Sequence, residues 1–408
     1  MVSDTQQIPA GYKQTDVGVI PNDWEVVELQ RLALDMLQGI NTAIDKPEYV
    51  SDGVPMFKAN NIIDQTLSYT NMDYISYRTY SRYSERFKIK KNDFLFSNIG
   101  ARLGTGSLFT GNEECSFAWN VMRIVPNEEL VNPAFLAISI NSPKISDEIK
   151  NNQSGSGMGF VPKGVMKKIG IPLPEKKEQE KITEVLSDID SLISKLDQLI
   201  QKKKNIKQGA MQELLTGKRR LPGFSGVWED TTLEELERAG RARLFRGKVI
   251  SKKDIDQFPG SYPIYSSSIN NNGKFGQYGK HMFNEELITW SVDGGGNFFY
   301  RPKHKFSVTN VCGYIRLTTS SIRYDFLAFQ LQQLHSYLSF DYTMKAHPSV
   351  IRKAYSLKLP SVEEQAAIAQ ILLEMGVEIE ALEVQKTKYI NLKQGMMQQL
   401  LTGKIRLI

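Results

Sequence analysis

Two stretches of the chain keep a helical rhythm for longer than most helices last. In the first, Ile182, Val185, Ile189, Leu192, Leu196 and Leu199 recur at alternating steps of three and four. In the second, Leu372, Met375, Ile379 and Leu382 keep the same steps, and Tyr389, Met396 and Leu400 fall on their extension. A seam this narrow asks for a partner helix. The spacing predicts two helices, each roughly 60 Å long at about 1.5 Å per residue, paired as an antiparallel coiled coil. Burial in two separate cores is the plainer alternative. Pro174 and Pro360 stand where a helix begins, because the first turn does not use their missing N–H. Gly217 and Gly403, each followed by a lysine, suit the far end.

Elsewhere the pattern shortens to strand-like runs between turns. VPMFKANNI, NDFLFSNIG, GTGSLFTG and NVMRIVP precede the first long helix; YPIYSSSI, ELITWSV, GNFFYRP and NVCGYIRL precede the second in the same order. Asn120-Val121 is expected to match Asn310-Val311, and Phe135-Leu136-Ala137 to match Phe326-Leu327-Ala328. Each globule opens on a turn followed by a tryptophan, Trp24 or Trp228.

The helices themselves are a repeat. Leu173 to Leu221 returns ungapped, 186 residues later, as Leu359 to Leu407, with 22 of 49 positions identical. The matches gather at the ends, in Leu-Pro with Glu-Gln and in KQGxMQxLLTGK. Duplication sets the architecture: an α+β protein with a pseudo-two-fold internal repeat, divided into 1–173 (first mixed α/β globule), 174–222 (first helix), 223–359 (second globule) and 360–408 (second helix). Alike helices and unlike globules suggest one scaffold carrying two different reading heads.

Composition adds exclusions. The chain has 408 residues, room for two or three domains. Two cysteines, Cys115 and Cys312, point to a reducing compartment, and four scattered histidines lack metal-ligand spacing. The start has no apolar signal-peptide core and no run suits a bilayer, so a cytoplasmic location is expected. The net charge of +6 is uneven: residues 1–173 hold 17 basic and 19 acidic side chains, whereas 223–359 stand at +6. No adenine-methylase Asn-Pro-Pro-Tyr motif and no P-loop occur. The glycine clusters at 154–159 and 293–296 do not open a helix after a strand.

The Leu173, Pro174, Glu178, Gln179 opening and its copy Leu359, Pro360, Glu364, Gln365, the LLTGK closures, the IPNDWE start and the order globule–helix–globule–helix together resemble the specificity subunit of a type I restriction-modification system. The resemblance covers essentially the whole chain. It implies two target recognition domains, each reading half of a split double-stranded DNA sequence, with the paired helices as spacer. It implies two methyltransferase subunits and two restriction (motor-nuclease) subunits as partners, with S-adenosylmethionine, ATP and magnesium bound by those partners and none in this chain. The chain is then a non-catalytic member of an adenine-specific complex. A free-standing methylase or nuclease and a coiled-coil scaffold are the alternatives.

Several stretches suit DNA contact. Residues 74–91 interleave tyrosines with Arg78 and Arg82, and arginine reaches phosphates or grips guanine. The loop after the first central strand offers Lys58, Asn60 and Asn61 in one globule and Ser266 and Ser267 in the other. Arg102 follows the second strand-like run. The approach to each long helix brings Ser154, Ser156 and Lys163, and in the second copy Lys345, His347 and Arg352. Lys303 and Lys305 add a phosphate footprint. For each stretch the plainer reading is a solvated or capping turn, or a surface helix.

Overall fold

The computed structural model describes residues 8–154, 159–268, 270–293, 297–338 and 346–408. Ser156 and Lys345 lie outside them. The chain divides into two units, residues 1–195 with 386–408, and residues 196–385. Each unit therefore holds one globule and a part of each long helix. Among the described residues no helix is long and apolar enough to cross a membrane.

The long helices run Lys176–Leu214 and Val362–Leu400, 39 residues each. They begin two residues later than the prolines. Glu175 and Ser361 take the capping position: their carbonyls accept the Gln179 and Gln365 N–H at 3.0 and 2.9 Å. Each proline carbonyl instead accepts the side-chain amide of that same glutamine, at 2.9 Å in both copies. At the other end Gly217 and Gly403 take φ of 72° and 68°, the left-handed turn that glycine makes at no steric cost.

The second helix packs along its predicted seam, with Leu372, Ile379 and Leu400 buried and Met375, Leu382, Tyr389 and Met396 half-buried. The first does not. Ile182, Leu186, Leu196 and Ile200 are buried, but Leu192 and Leu199 are 36% and 38% exposed, while Ile189 and Ile193 are half-buried. The true seam is 182, 186, 189, 193, 196, 200, which maps by the 186-residue repeat onto 368, 372, 375, 379, 382, 386. Val185, Leu192 and Leu199 belong to a second stripe beside it. Both stripes have apolar spacing, and the partner helix selects one. The pairing is antiparallel: Asp190 meets Lys393 in the first unit and Lys203 meets Glu378 in the second, each at 2.6 Å.

In the first unit a four-stranded antiparallel sheet has the order Thr105–Leu108, Phe94–Ser97, Val121–Pro126, Ala33–Gln38. Beside it lies a smaller sheet in which Ser116–Phe117 runs parallel to Val54–Phe57. The second unit joins the corresponding pieces into one six-stranded sheet, Ala242–Arg246, Cys312–Leu317, Phe283–Ser291, Phe298–Val308, Tyr262–Tyr265, Lys274–Tyr278. Each unit also pairs the strand after its tryptophan with the strand entering a long helix: Glu25–Glu28 with Gly170–Leu173, and Glu229–Thr232 with Ser356–Leu359.

The repeated motif owes its residues to one clamp. In the first unit the nearly fully buried Glu178 accepts two hydrogen bonds from the Arg406 guanidinium (2.7 and 2.9 Å) and one from Trp24 Nε1 at 3.1 Å. In the second, Glu364 accepts two from Arg220 at 2.6 Å and one from Trp228 Nε1 at 3.2 Å. The neighbouring glutamine ties in the globule: Gln179 Oε1 accepts the Asn132 N–H and Gln365 Oε1 the Arg323 N–H, both at 2.8 Å. Glu-Gln at one end and Arg-Leu past LLTGK at the other are two halves of one joint.

Candidate nucleic-acid interface

In the first unit, five pieces of chain converge where strands end. Val54–Phe57 leads into the turn at Lys58–Asn61. That turn is held to the next by the Asn120 side chain, which accepts the Ala59 N–H at 3.3 Å. Gln38, ending its strand, donates to the Trp119 carbonyl and exchanges amide hydrogen bonds with Asn98 at 2.8 and 2.9 Å. Asn98 O accepts the Val161 N–H at 2.9 Å, and Phe160 bridges both Ile99 and Ser154. Gly39 permits the closest approach: a Cβ there would lie 2.2 Å from the Ala118 carbonyl oxygen. Asn60, Arg102, Trp119, Ser154 and Phe160 are exposed on this rim.

Not every expected residue is available. Asn61 is 4% exposed; its Oδ1 accepts the Lys58 N–H at 3.0 Å and its amide donates to Ser68 O at 3.2 Å. Its side chain is spent on closing the turn, so the expected DNA contact does not fit it. The Lys58 amine pairs with Asp73 and sits over the Tyr49 ring. Arg78 and Arg82 are exposed on the short helix Tyr77–Arg82. Further along the same basic stretch Arg86 is occupied, because it holds Asp35 bidentately at 2.9 Å and so keeps that carboxyl below its usual range. Lys163 is half-buried at the start of the helix Lys163–Lys168.

In the second unit the corresponding turn follows Tyr262–Tyr265. The Ser266 N–H donates to Gly273 O and its hydroxyl accepts from Thr309 Oγ1, both at 2.9 Å; Ser267 O accepts the Ser291 hydroxyl at 2.8 Å. Beneath this loop lies Arg301, 2% exposed, with Nε donating to Thr289 at 2.9 Å and its guanidinium 3.6 Å from the Tyr265 ring centre. Burial pushes it down to about 10, and among the described residues its Nη2 has no hydrogen-bond partner. Lys303 and Lys305 are exposed, the latter against Tyr262. His347 caps the helix Pro348–Ala354 through Nδ1, and Arg352 pairs with Glu237 at 3.3 Å. Those two are helix-end fittings first, His347 exposed and Arg352 half-buried.

The equivalence of the globules is off by one residue from the expected match at Asn120-Val121. Gly39 N donates to Val121 O and Gly247 N to Cys312 O, both at 3.0 Å. Val121 therefore matches Cys312, and Trp119 matches Asn310. Phe135-Leu136-Ala137 and Phe326-Leu327-Ala328 stand at the same 191-residue offset, so that match agrees. Gln38, Asn98, Trp119, Arg246, Arg301 and Asn310 carry no sequence motif. The signal that bore on them was the pair of glycines, Gly39 and Gly247, each closing a strand-like run.

A family model described as type I restriction modification DNA specificity domain matches residues 21–208 and again 227–392. The chain belongs to this family. Each match spans one globule and most of the long helix after it, so the family unit occurs twice. A putative type I restriction enzyme MjaX specificity subunit of Methanocaldococcus jannaschii is 24% identical, with 97% of this chain and 96% of that one covered. A putative type I specificity subunit of Mycoplasma pneumoniae is 29% identical over 51% of this chain and 75% of its own length. The crystal structure of a type I restriction-modification S subunit from M. genitalium superposes with a TM-score of 0.61 at 15% identity, covering 92% of this chain and 96% of that one. A second structure, described under complex assembly and conformational transition of the type I R-M system, gives 0.56 at 16% identity over 95% and 99%. At such identities the structures speak to the fold of this specificity-family chain.

Proposed function

We propose that this specificity-family chain is the non-catalytic DNA-recognition subunit of a type I restriction-modification complex. Each globule reads one half of a split duplex target, and the paired helices join the two readers. Two methyltransferase subunits and two restriction subunits dock on the chain. S-adenosylmethionine, ATP and magnesium are bound by those partners. Asn60, Arg102 and Ser154 in the first globule, with Arg78, Arg82 and Lys163 nearby in sequence, are its DNA-facing set. Ser266, Ser267, Lys303, Lys305, His347 and Arg352 are the set of the second.

The observation that carries this reading is a single frame built twice, with its chemistry changed at the turns. The clamp, the strand entering each long helix and the two closely approached glycines agree between the units, while the exposed turn residues do not. A scaffold with no reading task has no use for two unlike rims on like frames. Base edges differ in donor, acceptor and methyl pattern, so unlike rims select unlike half-sites.

The test is methylation mapping of the chain with its cognate methyltransferase subunits. Replacing residues 1–173 by the matching globule of a relative should change one half of the methylated motif and leave the other. A swap that alters both halves in a folded, active complex, or methyl transfer by the purified chain alone, refutes the reading.

A further inference from the structure

The turn that follows Ser116–Phe117 in the first unit, and the end of Phe298–Val308 in the second, is held by the same bonds in both. Ala118 N donates to Phe57 O and Thr309 N to Tyr265 O, at 2.9 Å. Ile40 N donates to Phe117 O and Lys248 N to Val308 O, at 3.0 Å. Val121 N closes on Ala118 O at 2.9 Å and Cys312 N on Thr309 O at 3.0 Å. Gly39 and Gly247 let the next strand press on the turn: a Cβ on either would lie 2.2 Å from a carbonyl oxygen. The tip carbonyl is gripped from the side, by Gln38 on Trp119 O and by the Arg246 guanidinium on Asn310 O at 2.9 and 2.5 Å.

Only the tip side chain is left to vary, and it points out in both. Trp119 is 49% exposed, whereas Trp24 and Trp290 are fully buried; among the described residues no ring or cation packs on it. Asn310 is likewise exposed. Leaving half an indole in water forgoes apolar burial, and a backbone this tightly bonded cannot turn it inward. The same rim exposes Asn60 and Arg102, an amide and a cation of the kinds that touch base edges and phosphates.

We propose that this tip is the base-contacting position in each globule: Asn310 pairs with the N6/N7 edge of an adenine, and Trp119 makes apolar contact with the 5-methyl group of a thymine. Gln38 and Arg246 are positioning residues that fix the tip carbonyl. The inference rests on the DNA-reading function proposed above and names where that reading happens. A rigid frame with one interchangeable side chain is how two like folds come to prefer unlike bases. Asparagine presents a donor and an acceptor together, matching adenine. Indole presents apolar surface, matching the methyl group that marks thymine.

The experiment uses the full chain with its methyltransferase partners, reading the methylated motif. Trp119→Ala should relax one base pair in one half-site, with discrimination falling about tenfold or more, and leave the other half unchanged. Asn310→Ala should do the converse. Neither should change the salt slope of binding, which reports phosphate contacts. Trp119→Asn keeps a side chain at the tip and should move the preference at that base pair toward adenine; it serves if the alanine variant folds poorly by thermal melting. A bipartite wild-type motif that no folded tip variant alters overturns the inference while sparing the proposed function. A wild-type complex with no bipartite motif refutes both.

Discussion

Lys393 in the first unit and Lys207 in the second are the same residue of the repeat, 186 positions apart. Lys393 meets Asp190 at 2.6 Å. The position equivalent to Asp190 is Gly376, and a Cβ there would lie 3.0 Å from the Lys207 amine. Lys207 rests over the Phe329 ring at 5.4 Å, and burial pushes its amine below the usual lysine range. Buried arginines differ in the same direction. In the first unit Arg123 holds Asp93 at 2.5 Å with both 5% exposed or less, whereas among the described residues Arg301 in the second donates to the Thr289 hydroxyl and lies on an aromatic ring. Lys393 and Arg123 are paired with carboxylates, whereas Lys207 and Arg301 rest on rings. Duplication copied the lysine and the frame, and its carboxylate partner was not kept; the two arginines are not copies of one another, since the 191-residue offset sets Tyr314 at the Arg123 position.

The strongest test of that contrast strikes the clamp. Trp24 is fully buried and Trp228 half-buried. Trp24→Ala should cost about 3–5 kcal/mol and Trp228→Ala roughly half as much, since water already reaches part of its ring. Urea unfolding of the whole chain measures both. Equal costs would mean that the two joints are equally dry.

The arginines come next. Arg123→Met strands the Asp93 carboxylate without its partner and should cost about 3–5 kcal/mol. Arg301→Met removes a lone buried cation, so the expected change lies between none and a gain of about 1 kcal/mol. A large loss from Arg301→Met would show that its ring stacking outweighs its desolvation.

The lysines give the smallest effect and a pH signature. Gly376→Asp should supply Lys207 with the partner that Lys393 has, and remove a flexible helical glycine, for a gain of about 1 kcal/mol or less. Asp190→Gly should cost a similar amount. In the wild type the folded pKa of Lys207 lies below its unfolded value of 10.5. Between those two values the unfolded chain binds the extra proton, so this site favours folding increasingly as pH rises. The advantage of Gly376→Asp should therefore be greatest at neutral pH and shrink toward pH 10.5. An advantage that stays constant across that range would place its origin in helix propensity alone.

The misread seam shows what pattern can and cannot decide. On the first helix Val185, Leu192 and Leu199 have the same apolar spacing as Leu186, Ile193 and Ile200, one position on. Periodicity cannot rank two adjacent stripes. The ungapped repeat held the answer, because the second helix has only one continuous stripe and mapping it back selects Leu186 and Ile193. Asn61 failed for another reason. An asparagine in a turn bonds either to its own backbone or outward, and its neighbours here bury it and take both ends. The one-residue slip at Asn120-Val121 arose because a shared dipeptide outweighed the backbone frame, which only the Gly39 and Gly247 contacts reveal.

By itself the sequence determined the duplication, the helix ends and the presence of two unlike globules. Proline, left-handed glycine and apolar period act through local backbone energetics, and the repeat is legible by simple comparison. Tertiary structure decided which stripe faces the partner helix, which carboxylate closes on which arginine, and which polar side chains are consumed within the turns. Those choices depend on residues as far apart as Glu178 and Arg406, brought together only by folding. The exposure of Trp119 and Asn310 is of that kind: each tip is set by bonds to a strand end some 60 to 80 positions away in the chain, and no local pattern encodes it.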